Sequence, residues 1–129
     1  MAEIRIEIPC VPPSGNHYKT FRSVPNGKGG SVPSWYLTKE AKAWYRDIAI
    51  LARGAKIRAE QYTVSYVVYT RTNVVSDVDN YAKCILDSLA QAGVIDNDKK
   101  VVDLHCYRRL DRNNPRTEIV IRSEQGRLF

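Results

Sequence analysis

Residues 62–93 read YTVSYVVYTRTNVVSDVDNYAKCILDSLAQAG, and two periodicities meet in them. Tyr62 to Thr70 is rich in β-branched and aromatic residues, the composition of a central strand. Arg71 to Ser76 forms a short loop. Beyond it Val78, Ala82, Ile85, Leu89 and Ala92 fall on one helical stripe, and Gly93 stands where a helix ends. A strand that runs quickly into an amphipathic helix is half of a layered protein, in which helices cover a sheet.

Toward the N-terminus, Thr38 can cap a helix. Ala41, Trp44, Tyr45, Ile48, Leu51 and Ala52 recur at helical spacing before Gly54, which predicts a helix from about Lys39 to Arg53. Ile4, Ile6 and Ile8 alternate with Glu3, Arg5 and Glu7, the pattern of a half-buried strand. Between these elements the prolines and glycines of residues 9–37 read as one long loop, of a length that is usually functional or mobile. Toward the C-terminus, Val101 to Leu110 and Arg116 to Arg122 are strand-like. Asp111-Arg112-Asn113-Asn114-Pro115 between them is turn chemistry, which predicts a hairpin. The order β-α-β-α-β-β gives an α+β protein, two main helices packed on a mixed β-sheet, in a single domain over residues 1–129.

The composition, 43% hydrophobic and 26% charged over 129 residues, is ordinary for a soluble globular protein with one modest core. No apolar run approaches the roughly 18 residues of a membrane span. The N-terminus lacks the basic start and apolar stretch of a secretory signal, so the expected location is cytoplasmic, with no membrane partner. Cys10, Cys84 and Cys106 are odd in number and have no C-x-x-C spacing, which argues against a disulfide framework or structural zinc and for three reduced thiols. His17 and His105 stand far apart with no triad signature around them.

Charge is distributed unevenly. Residues 1–72 hold 11 Lys/Arg against 5 Asp/Glu, and residues 105–129 hold 6 against 3; residues 73–104 reverse the balance, with 3 against 6. Gathered carboxylates repel one another and tend to share a cation. One acidic site in a basic chain of net charge +6 suits a polyanionic substrate whose chemistry runs through a divalent metal, which points to a nuclease. Helix capping is the competing explanation for Asp77 or Asp79, and aspartates are common in turns. Lys83 likewise has two readings, an i, i+4 pair with Asp79 or a cation that steadies a phosphate. A helix of about 15 residues spans roughly 22 Å. Asp96-Asn97-Asp98 must therefore return to its start to join Asp77, carried by the next strand or supplied by a second subunit.

The run from Asp77 to Asp98, DVDNYAKCILDSLAQAGVIDND, resembles the RusA-type Holliday-junction resolvases, which carry D-x-D-N-x-x-K-x-x-x-D-x-L, then A-G-V, then an acidic pair before a strand. Pro12-Pro13-Ser14-Gly15-Asn16-His17-Tyr18 looks like the family's P-P-S-x-N-x-x-Y region. The resemblance implies a RusA-like fold and a homodimer that cuts four-way DNA junctions in recombination and repair. It implies Mg2+ on Asp77, Asp79 and Asp98, with Mn2+ able to substitute, and an active-site lysine at Lys83. Asn16, Tyr18, Lys19, Arg22 and Arg71 are the candidate DNA contacts; Lys28, Arg108, Arg109 and Arg112 are further basic candidates. Two positions depart from the pattern. Asn97 stands where the family often has an acid, leaving Asp96 as the candidate for the extra acidic role. Ser76 stands where the family often has a basic residue, leaving Arg71 as its substitute. The rival readings are a nuclease for other branched DNA or RNA, an inactive DNA-structure binder that keeps the fold, and an adaptor whose acidic patch meets a protein.

Overall fold

The computed structural model describes residues 2–13, 19–73 and 78–124, without the side chains of residues 19–22 and 32–35. Four strands form a mixed sheet: β1 (Glu3–Ile8), β4 (Gln61–Thr70), β5 (Val101–Leu110) and β6 (Arg116–Glu124), in the spatial order β1-β6-β4-β5. β2 (Lys19–Pro25) and β3 (Ser31–Leu37) form a separate two-stranded ribbon, and α1 (Lys39–Leu51) and α2 (Ala82–Gln91) are the two helices. The α+β class read from the sequence is the one observed.

β4 is the central strand because its alternation leaves no other place for it. Tyr62, Val64, Tyr66, Val68 and Thr70 are all buried, while the residues between them are half-buried. It pairs antiparallel with β6 on one side and parallel with β5 on the other. The expected hairpin between β5 and β6 is therefore corrected: the two strands flank β4 and do not pair with each other. The Asp111–Pro115 turn carries the chain across the end of β4, where the Asp111 N–H donates to the Thr70 carbonyl at 2.8 Å. Turn-forming residues specify a reversal of direction, and β4 occupies the gap into which a hairpin would have closed.

The 9–37 segment is corrected too. Within it β2 and β3 pair from Lys19↔Leu37 to Pro25↔Ser31. The glycines that suggested a loop make only its tip. The Asn26 side chain accepts from the N–H groups of Lys28 (2.8 Å) and Gly30 (3.2 Å), and Gly27 sits at φ 81°. Pro33 is tolerated because each strand of a two-stranded ribbon is an edge.

Both helices cover the same face of the sheet. Thr38 caps α1 as expected, accepting from the Ala41 N–H at 3.3 Å, and Ala41, Trp44 and Ile48 face inward. α2 buries Cys84, Ile85, Ser88 and Leu89. The middle of its predicted stripe is thus in the core, whereas Val78 and Ala92 at its ends are exposed. The two helices are tied by a buried hydrogen bond in which the Trp44 indole N–H donates to Ser88 Oγ at 2.9 Å. Ile6, Ile8, Ile119 and Ile121 complete one cluster with these residues and β4. No helix among the described residues is long and apolar enough to cross a membrane.

Candidate active site

β4, α2 and β5 form a strand–helix–strand unit, and two tyrosines of β4 set where the helical segment begins and ends. Tyr62 and Tyr66 point to the helix side four residues apart, roughly 13 Å along the strand. The Tyr66 hydroxyl donates to the Val78 carbonyl at 2.8 Å, fixing the 3-10 turn Val78–Tyr81 that precedes α2 and carries Asp79. Burial holds the Tyr66 phenol protonated far above its ordinary range, helped by the neighbouring Cys106 thiol and the Asp79 charge. At the other end the Tyr62 hydroxyl lies 2.7 Å from Asp96 Oδ1 and 2.9 Å from the Ile57 carbonyl.

The chain leaves α2 through Gly93, whose φ of 78° is one a side chain rarely tolerates. The Arg58 guanidinium then gathers the carbonyls of Gly93 (3.1 Å) and Val94 (3.2 Å). Asn97 caps the next 3-10 turn, Asp98–Lys100, by accepting from the Lys99 N–H at 2.9 Å. Where the sequence pattern suggested an acid, an amide is doing a cap's work.

Asp79 is exposed and Asp98 half-buried. They sit on turns at opposite ends of α2, whose ten residues span about 15 Å. β5 does return to the Asp79 turn and packs beside it, but Asp98 precedes that strand and stays near the Tyr62 end. Among the described residues no three His, Cys, Asp or Glu side chains gather as a metal site would require. Asp77 lies outside the described residues, as do Asn16 and Tyr18; Lys19 and Arg22 are described by backbone only, both on β2.

Asp96 is engaged elsewhere. Lys100 Nζ lies 2.8 Å from its Oδ2, and this ammonium first, with the Tyr62 hydroxyl second, lowers the Asp96 carboxyl to about 2. That makes it an anchor for the turn that carries Asp98. Lys83 pairs with Asp87 at 3.5 Å, one turn further along α2, in place of the Asp79 pairing suggested by sequence. Asp79 falls on the 3-10 turn, outside the α-helical register that makes i, i+4 side chains meet. Lys83 remains 68% exposed, so its ammonium is open to a phosphate.

Arg71 is exposed immediately after β4. The pairing of Thr70 with Leu110 puts Arg109 and Arg112 at the same end of the sheet. That is the end from which the chain departs toward Asp77. Sequence reasoning missed Tyr62, Tyr66 and Arg58 as builders of the site. The alternation of β4 puts both tyrosines on the core side, where a buried phenol needs a polar partner, and this was the available signal.

The free thiols fit the reduced state expected of them: Cys10 and Cys84 are both pushed up to about 12, chiefly by burial. No curated protein matches the chain. The family model described as endodeoxyribonuclease RusA matches it over residues 9–122, a span that takes in every candidate position from Asn16 to Asp98. The chain belongs to the RusA endodeoxyribonuclease family.

Proposed function

We propose that this protein is a divalent-metal-dependent endodeoxyribonuclease that resolves four-way DNA junctions by paired, symmetric incisions as a homodimer. The observation that carries the reading is the family match across the whole acidic segment. Its chemistry suits the task. Asp79 and Asp98 offer hard carboxylate oxygens, Asp77 stands two residues before Asp79, and such a set fits Mg2+ or Mn2+. When bound, a divalent ion supplies an activated water and neutralises charge on the phosphate. Lys83 and Arg71 supply the remaining positive charge, Lys83 beside the scissile phosphate and Arg71 just past the end of β4.

The separation of Asp79 from Asp98 along α2 favours the second of the two routes open in the sequence, in which a second subunit brings Asp98 across. The homodimer then serves two ends. It completes each acidic set, and its two-fold axis matches the approximate symmetry of a four-way junction. Cleavage of a synthetic four-way junction, with and without Mg2+, tests the proposal. Symmetric cuts that require the metal are expected. Cutting of flaps or RNA in preference to the junction would transfer the same chemistry to another substrate, and junction binding without cutting would make the protein a binder.

A further inference from the structure

We propose that the edge of β5, which no strand among the described residues covers, is the seam at which two copies of this chain meet, β5 lying antiparallel to β5 about a two-fold axis through Cys106. This rests on the homodimer reading above and names the surface that forms it.

The two edges of the sheet differ. β1 is six residues long and presents Glu3, Arg5 and Glu7, with Glu3 held by Arg122 at 2.7 Å. A short, charged edge of this kind discourages further pairing. β5 is ten residues long and keeps apolar side chains outside the core: Leu104 is 37% exposed, Tyr107 42% and Leu110 50%, while the exposed Ile50 and Leu51 lie apart from it on α1. A long apolar edge with unpaired backbone groups is a template for another strand.

Charge fixes both the occupant and the register. Residues directly opposite in an antiparallel pair point to the same face, so a two-fold axis normal to the sheet must pass through a residue. An axis at Leu104 would set Arg108 against Lys100 and Arg109 against Lys99. An axis at His105 would leave Asp103 facing Tyr107, and one at Tyr107 would set Asp103 against Asp111. An axis at Cys106 sets Asp103 against Arg109 on both sides, with His105 against Tyr107 between them. Within β5 itself this is the register that sets opposite charges face to face; just past the strand ends it brings Lys100, already held by Asp96 at 2.8 Å, opposite Arg112. Asp103 already lies 3.2 Å from His105, and Arg109 leans over the Tyr107 ring at 5.5 Å, so all four side chains share the face this register would pair. The same pairing carries the start of the partner's β5, with the partner subunit's Asp98 just before it, toward the end of the sheet at Arg71.

Dimer dissociation measured by sedimentation tests the seam. Asp103→Arg and Arg109→Asp should each weaken the wild-type dimer by about tenfold or more, because each replaces two opposite-charge pairs with two like-charge pairs. The double variant, Asp103→Arg with Arg109→Asp, should restore it. A wild-type dimer that both single variants leave unchanged overturns the seam and leaves the homodimer standing. A wild-type monomer at micromolar concentration overturns both. If circular dichroism shows that the variants do not fold, a short bismaleimide on the wild-type protein decides: chains joined through Cys106, and not in Cys106→Ser, support the seam, and joining through Cys10 alone or no joining overturns it.

Discussion

Asp79, Lys83 and Asp98 differ in what surrounds them, and their substitutions should differ accordingly. Asp79 and Asp98 lie on exposed or half-buried turn positions, so neither is needed to hold the core. Asp79→Asn or Asp98→Asn should bring junction cleavage near background while junction binding stays equal or strengthens, since a negative charge beside phosphate is removed; gel-shift and cleavage assays on one substrate separate the two effects. Near-wild-type cutting by either variant would remove that residue from the site. Among the described residues Lys83 has one ion pair, an exposed one with Asp87 at 3.5 Å. Lys83→Ala should therefore change stability by no more than about 0.5 kcal/mol. Turnover should fall by about a hundredfold if its ammonium meets the phosphate. Asp96 is the contrasting case. Its carboxyl is lowered from 3.8 to about 2 by Lys100 and Tyr62, so its contribution is complete above about pH 4 and is lost as the pH falls toward 2. Asp96→Asn should flatten the stability profile across that window, measured by denaturant melts at stepped pH. An unchanged acid limb would mean that the Lys100 and Tyr62 contacts do not persist in solution.

The helical segment after β4 is held by hydrogen bonds that reach across elements. Trp44 Nε1 to Ser88 Oγ ties α1 to α2, both side chains about 1% exposed. Ser88→Ala leaves the indole N–H buried without an acceptor and should cost about 1–3 kcal/mol, read from chemical denaturation. Tyr66→Phe releases the Val78 carbonyl and with it the turn bearing Asp79. It should cost about 1 kcal/mol and slow cleavage without weakening junction binding. A stability loss with unaltered cleavage would show that the Asp79 turn keeps its place unaided. These elements also show what could be read from the chain. β4, α1 and the middle of α2 were legible because local periodicity and a capping threonine dictate them. The pairing of β5 was not, because the turn at Asp111–Pro115 is equally compatible with closing on a neighbour or stepping over β4. The β2–β3 ribbon was hidden by Pro25 at the end of β2, Pro33 within β3 and the three glycines of its tip, which read as readily as a loop. The acidic residues were grouped through the family's spacing alone. Their separation along α2 was not legible, since it depends on which level of β4 each turn is fastened to.

At the scale of the whole molecule, Trp44 and the middle of the α2 stripe enter the core, while the large apolar side chains left at the surface fall mainly on β5, with Ile50 and Leu51 on α1. A chain whose acidic turns lie at opposite ends of one helix, and whose uncovered edge is self-complementary in charge, is better suited to act in pairs than alone. Paired action has a kinetic consequence that assembly measurements do not reach. When wild-type protein is mixed in equal amounts with Asp79→Asn and allowed to exchange, about half of the dimers should carry one variant chain. Such a dimer retains at most one competent site on the junction, so it can nick one strand but cannot place the opposing cut. Nicked junctions should therefore accumulate at the expense of resolved duplexes as the variant fraction rises, visible on a supercoiled plasmid carrying a cruciform as open circles in place of linear molecules. If total cleavage merely falls in proportion to the wild-type fraction, with the ratio of linear to open-circular product unchanged, then each chain makes both cuts by itself and the paired reading is wrong.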